Sequence, residues 1–232
     1  MSSKKSNENI EFIPEGDLQK KPDKEFKVVT IGDRRVGKTA LIQRITQNKF
    51  LEEYNTTIGI AYNNLNIKIN DKILQLKIWD TSGNEIYKST AKTYWKSASV
   101  AILVYDIANR ASFENIDLWL KELDSNSTKI LVGNKSDLEN ERKVQFEEGK
   151  KKLNLKDNIF MECSVKNGIN VKEIFIEAAK LLYKKSNINS TDKKPLENAQ
   201  KVNEINNEVI DNSKNEKVIK KEEKNCCSRC FD

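Results

Sequence analysis

A glycine-rich loop set between a strand and a helix constrains this chain more than any other feature. Residues 26–31 are a short run of β-forming residues. They lead directly into Gly32-Asp33-Arg34-Arg35-Val36-Gly37-Lys38-Thr39, which fits the pattern G-x-x-x-x-G-K-[ST]. Beyond it, Leu41, Ile42 and Ile45 fall on one face of a helix beginning at Lys38. Such a loop suits phosphate, because glycines let backbone N–H groups approach oxygens and the helix N-terminus adds partial positive charge. In that setting Lys38 reaches the β- and γ-phosphates and the Thr39 hydroxyl is a Mg²⁺ ligand. The competing reading, an accidental Gly-Lys-Thr turn, does not explain the flanking strand and helix.

The rest of the periodicity agrees with that start. Leu65, Ile67 and Ile69 alternate, as do Leu74, Leu76 and Ile78, and Asn70-Asp71-Lys72 separates them as a hairpin turn would. Residues 100–105 and 129–132 are near-continuous apolar runs of strand length, expected where both faces are covered, and 159–163 is a weaker candidate. Phe113, Ile116, Leu120 and Leu123 follow helical spacing, as do Val171, Ile174, Ala178 and Leu182. Strands alternating with helices predict an α/β fold with a mostly parallel sheet and helices on both faces. Ligands in such folds sit at the carboxyl ends of the strands, where the motif loops fall.

Composition narrows the setting. The chain has 232 residues and a net charge of +6, which suits one globular domain with appended tails. Residues 1–24 read as a polar, mobile extension, 25–185 as the folded domain, and 186–232 as a disordered tail rich in Asn, Lys and Glu. No apolar run approaches the ~20 residues of a membrane-spanning helix, and the polar start is unlike a secretory signal. Cys163 stands alone while Cys226, Cys227 and Cys230 crowd the end, which is not a disulfide framework. With no histidine in the chain, the three tail thiols fall short of the four ligands of a structural zinc site. A reducing, cytosolic setting is expected.

Three further loops carry chemistry. Asp80-Thr81-Ser82-Gly83 follows a strand, so Asp80 is placed to hold Mg²⁺ and the Gly83 amide to approach a γ-phosphate. Asn134-Lys135-Ser136-Asp137 caps the 129–132 strand. Asp137 is suited to accept hydrogen bonds from N1 and N2 of guanine, donors that adenine lacks, while the Lys135 stem packs over the base plane. Cys163-Ser164-Val165-Lys166 offers backbone groups for the guanine carbonyl. Each alone is also an ordinary polar turn; their order and number argue otherwise.

This succession of motifs resembles the small GTPases of the Ras superfamily over residues 26–185, and within them the Rab branch. Ile58-Gly59-Ile60-Ala61-Tyr62, Tyr94-Trp95-Lys96-Ser97-Ala98 and Leu103-Val104-Tyr105-Asp106-Ile107 carry the Rab likeness, and residues 167–175 lean toward the early-endosomal members. The resemblance implies a six-stranded sheet with one antiparallel strand, GTP or GDP as ligand, and Mg²⁺ held by Thr39, Thr57 and Asp80. It adds Ala40, Phe50 and Tyr54 to the nucleotide site, with Phe50 stacked on guanine. It makes residues 50–62 and 80–96 the switches. Tyr62, Trp79 and Tyr94 become an aromatic effector surface, although for Trp79 plain core packing is an equal reading, and Ile86 replaces a usual Arg. Implied partners are an exchange factor, a GTPase-activating protein, a GDP-dissociation inhibitor and effectors, with no nucleic acid.

Departures from the family pattern bear on catalysis. Asn84 stands where relatives carry the glutamine that orients the attacking water, and its arm is one methylene shorter. Arg34 and Arg35 replace small loop residues. Lys38, Gly83, Asn84 and Arg34 are the candidate catalytic residues, and slow hydrolysis is expected from the joint change at Arg34, Arg35 and Asn84, with the arginines read as crowding the water. The competing role for Arg34 is a built-in arginine finger. The tail resembles Rab prenylation ends, which implies a lipid anchor on Cys226, Cys227 or Cys230 and reversible residence on the cytosolic face of endomembranes, an endosome or other vesicle. The leading expectation is a GTPase switch in vesicle traffic; the alternatives are a GTP-holding scaffold with negligible turnover and, disfavoured by Asp137, a general ATPase.

Overall fold

The computed structural model describes residues 9–51, 60–81, 95–153 and 158–191, and the fold below belongs to the compact unit ending at Ser186. The strands are β1 Ile10–Ile13, β2 Lys24–Ile31, β3 Ile60–Ile69, β4 Lys72–Thr81, β5 Val100–Asp106, β6 Thr128–Asn134 and β7 Ile159–Glu162. The helices are α1 Lys38–Gln47, α2 Arg110–Glu114, α3 Ile116–Leu120, α4 Phe146–Lys152 and α5 Val171–Thr191.

The strands join in the order β1-β3-β4-β2-β5-β6-β7. Those from β4 to β7 pair in parallel, and β3 pairs antiparallel with both β4 and β1, so β3 alone runs against the others. β5 is buried at every position. Its side chains divide by period two: Val100, Ile102 and Val104 join a core with Val28, Leu41 and the α5 residues Ile174, Phe175 and Ala178. Ala101, Leu103 and Tyr105 join the opposite core with Val29, Ile31, Trp95 and Trp119. Two apolar faces require two covering layers, which is why this run has no polar alternation.

The sheet has seven strands rather than six. The added strand is β1, which lies in the stretch expected to be mobile. It pairs Ile10 with Ile69 and Ile13 with Asn66, and Ile10 and Phe12 pack on the core. Asn9 and Asn70 close the register, with Asn70 N–H donating to the Asn9 carbonyl at 2.9 Å. Asn70 itself sits at φ 53° in the two-residue turn between β3 and β4, the left-handed region asparagine tolerates.

A second difference concerns the helix expected through Phe113 to Leu123. It divides into α2 and α3 at Asn115, whose amide Nδ2 donates to Asp33 Oδ2 at 2.8 Å. That bond draws the helix break onto the glycine loop. β2 lies between β4 and β5, so the loops that follow all three strands open at the same end of the sheet.

Candidate functional site

The loop after β2 is held tightly. A Cβ on Gly32 would lie 2.2 Å from the Val104 carbonyl oxygen, and one on Gly37 would lie 2.2 Å from Asn134 Nδ2. Both glycines have positive φ, 144° and 99°, so side chains are excluded by conformation and by space. Gly37 is also the N-cap of α1 and supplies no side-chain cap, so no side chain competes for the first N–H groups of the helix. Lys38 folds back, donating from Nζ to the carbonyls of Gly32 at 2.9 Å and Asp33 at 2.7 Å. Burial pushes its ammonium down to about 8, against the pull of the Asp80 and Asp33 carboxylates.

Asp80 ends β4 at 1% exposure. Burial raises its carboxyl pKa, opposed by a hydrogen bond from Thr39, by the Lys38 charge and by Thr30. The Thr39 hydroxyl and the Asp80 carboxylate thus face each other at the root of the loop as hard oxygen donors, a set that suits Mg²⁺.

The loops after β6 and β7, where base recognition is expected, converge on one buried amide. Asn134 Nδ2 donates to the Val36 carbonyl at 2.8 Å, and its Oδ1 accepts from Val165 N–H at 3.2 Å. The Cys163 thiol lies 3.5 Å from the same oxygen. Asn134 therefore joins the phosphate-type loop to the loop after β7. Ser164 Oγ donates to Asp137 Oδ1 at 2.5 Å and accepts from Asn167 N–H at 3.0 Å, fixing one side of the Asp137 carboxylate. Lys135, at φ 67°, places Nζ 2.6 Å from Asp106 Oδ2, which ties the loop after β6 to the end of β5.

The sequence model of the Ras family matches residues 27–184. Ras-related protein RABA1b of Arabidopsis thaliana is 42% identical over 163 residues, covering 68% of this chain and 76% of its own length. Ras-related protein Rab11B of Nicotiana tabacum is 40% identical over 163 residues, covering 68% of this chain and 75% of its own. This chain belongs to the Rab family of small GTPases. Ras-family GTPases bind GTP and GDP, typically with Mg²⁺, so the family carries both the nucleotide and the activity in general.

Within this Rab-family domain, Gly32, Asp33, Val36, Gly37, Lys38, Thr39 and Ala40 lie with Asp80, Asn134, Lys135, Asp137, Ser164, Val165 and Lys166 at the carboxyl ends of β2, β4, β6 and β7. Arg34 and Arg35 are exposed on the loop. Arg35 lies at φ 63°, which costs a side-chain-bearing residue about 1–2 kcal/mol where a glycine would sit without strain. Tyr54, Thr57, Gly83, Asn84, Ile86, Tyr94 and Cys226, Cys227 and Cys230 lie outside the described residues. Tyr62 and Trp79 meet edge to face with ring centroids 5.2 Å apart; Tyr62 is 46% exposed, while Trp79 is half-buried and packs against the core of Val29, Ile31 and Leu103.

Several site residues are not evident from sequence. Trp119 Nε1 donates to Asp33 Oδ1 at 2.7 Å, so with Asn115 it satisfies both oxygens of the loop carboxylate. Asp106 steers Lys135. Arg44 lies on α1, packs over Phe50 and reaches the loop after β7. The aspartate in the glycine loop signals a need for partners, but nothing in the sequence names them.

Proposed function

We propose that this chain is a GTP/GDP-switched regulator of vesicle traffic whose intrinsic hydrolysis is slow. The observation that carries the guanine reading is the Asn134 amide, which holds the Gly32–Thr39 loop and the Ser164–Lys166 loop to one another. A phosphate cradle and a base-reading carboxylate are thereby set on one rigid frame. In this reading the backbone from Gly32 to Thr39 and the Lys38 ammonium hold the phosphates. Thr39, Asp80 and Thr57 hold Mg²⁺, which when bound neutralises phosphate charge. Phe50, Lys135 and Asp137 hold the base, with Ala40 and Tyr54 completing the site.

Slow turnover rests on the shortened Asn84 arm and on Arg34 and Arg35, whose exposed side chains stand on the phosphate loop. Gly83 contributes its amide. The same arginines favour the second reading, a scaffold that holds GTP with negligible turnover. The nucleotide co-purified with the native chain, followed by single-turnover hydrolysis, tests both. GDP supports a working GTPase, and GTP with no measurable hydrolysis supports the scaffold. Asn84→Gln accelerates hydrolysis if the short arm limits it, and an unchanged rate refutes that role. Arg34→Ser accelerates it under obstruction and slows it if Arg34 is an arginine finger.

Regulators of nucleotide exchange and hydrolysis, a GDP-dissociation inhibitor and effectors are the corresponding partners. No described helix is long and apolar enough to cross a membrane. Attachment to the cytosolic face of an endomembrane would rest on prenylated Cys226, Cys227 or Cys230, as intact mass from a membrane fraction reveals.

A further inference from the structure

One guanidinium on α1 is committed almost wholly to backbone carbonyls. Arg44 Nε donates to the Val165 carbonyl at 2.9 Å, its second terminal nitrogen donates to the Lys166 carbonyl, and its first reaches the Asn48 carbonyl at 3.4 Å. The guanidinium carbon lies 5.8 Å from the centre of the Phe50 ring. Arg44 has no carboxylate partner among the described residues.

Peptide geometry turns these contacts into an orientation. The backbone has no cis peptide bonds among the described residues, so a carbonyl drawn one way sends the N–H of its peptide the other way. Holding the Val165 carbonyl therefore aims the Lys166 N–H away from α1. Holding the Lys166 carbonyl aims the Asn167 N–H, which donates to Ser164 Oγ at 3.0 Å, and Ser164 donates to Asp137 at 2.5 Å. The same side chain lies against Phe50. Two walls of the base site, the ring and the turn after β7, thus rest on one residue.

We propose that Arg44 is a positioning residue for guanine recognition, setting the Lys166 N–H toward the 6-carbonyl of the base. This rests on the guanine-nucleotide reading above. Without Arg44 the turn relaxes and its hydrogen bond to the 6-carbonyl disappears; the Asp137 bonds to N1 and N2 are weakened only indirectly. Lysine does not replace it, because an ammonium is a point charge and does not bridge two carbonyls in a fixed fork.

The test measures dissociation of GDP and of 6-thio-GDP, which keeps the N1 and N2 donors but presents sulfur, a weaker acceptor, at position 6. Wild type is compared with Arg44→Ala and Arg44→Lys. Both variants are expected to release GDP up to about tenfold faster, the scale of one neutral hydrogen bond. Release of 6-thio-GDP changes less, so the preference for GDP shrinks. Equal acceleration of both nucleotides, or none, overturns the proposal; equal acceleration is what a merely structural role produces. If Arg44→Ala does not fold, Arg44→Lys alone carries the comparison. Wild type that binds neither nucleotide overturns the underlying guanine reading, and this inference with it.

Discussion

Replacing Asn134 by alanine removes the amide that joins two motif loops, and the structure sets the size of the loss. Asn134 is 3% exposed, so water does not substitute freely for its side chain. The change strips the Val36 carbonyl of its donor at 2.8 Å and the Val165 N–H of its acceptor at 3.2 Å. A buried polar group left without a partner costs about 1–3 kcal/mol, so two of them cost about 2–6 kcal/mol. Against a typical domain stability of about 5–15 kcal/mol, the variant is expected to fold but with a clearly lowered denaturation midpoint. Equilibrium urea unfolding of the nucleotide-free protein, with the slope m compared between variants, reads this directly. Nucleotide release is expected to accelerate as well, because the loops lose their common tie. An unfolding free energy within about 0.5 kcal/mol of wild type would refute the claim that this amide holds the frame, since that is the scale of surface changes.

Other expectations follow from separate features. Trp119→Phe keeps a ring to pack edge-on against Trp95 but deletes the Nε1–H bond to Asp33. A loss of about 1–2 kcal/mol in unfolding free energy, with faster nucleotide release, is expected; unchanged release would detach Asp33 from loop geometry. Arg142 pairs with Glu162 through two bonds of 2.7 and 2.8 Å, and each side chain is only 11% exposed. Arg142→Ala is expected to cost about 3 kcal/mol by leaving Glu162 uncompensated, and adding Glu162→Gln recovers part of it in urea unfolding. Burial pushes the Cys163 thiol from 9.0 up to about 12. The unfolded thiol ionises first, so the folded state binds more protons above pH ~9 and stability falls there as pH rises toward ~12. At pH 8 Cys163 resists alkylation until the protein unfolds, and Cys163→Ala reduces that alkaline loss; mass mapping of alkylated peptides and unfolding at two pH values check both.

Legibility followed the physics of each element. β5 and β6 were readable because strands covered on both faces must be apolar at consecutive positions. The glycine loop was readable because Gly32 and Gly37 admit no side chain. β1 was not, since four residues inside a polar stretch carry too little periodicity to stand out, and its partner β3 is distant in sequence. Asn115 looks like an ordinary member of a helical run because its role depends on Asp33 coming within reach in three dimensions. Arg44 is equally silent. An arginine on the polar side of a helix looks like a solvated charge until the loop after β7 is brought against it.

β1 also changes what the sheet exposes to other chains. An edge strand presents a row of unpaired N–H and C=O groups, a template on which foreign strands aggregate. β1 covers β3 only from Asn66 to Ile69, and no described strand pairs with the other side of β3 from Ile60 to Leu65. Beside that uncovered length stand Glu15 and Asn64, joined at 2.9 Å, and Asn64 in turn meets Tyr62 at 2.6 Å. The stretch of the edge that carries Ile67 and Ile69 is thus sealed by the chain's own N-terminal segment. Along 60–65 the polar side chains Glu15, Asn63 and Asn64 stand beside the strand and disfavour stray strand pairing.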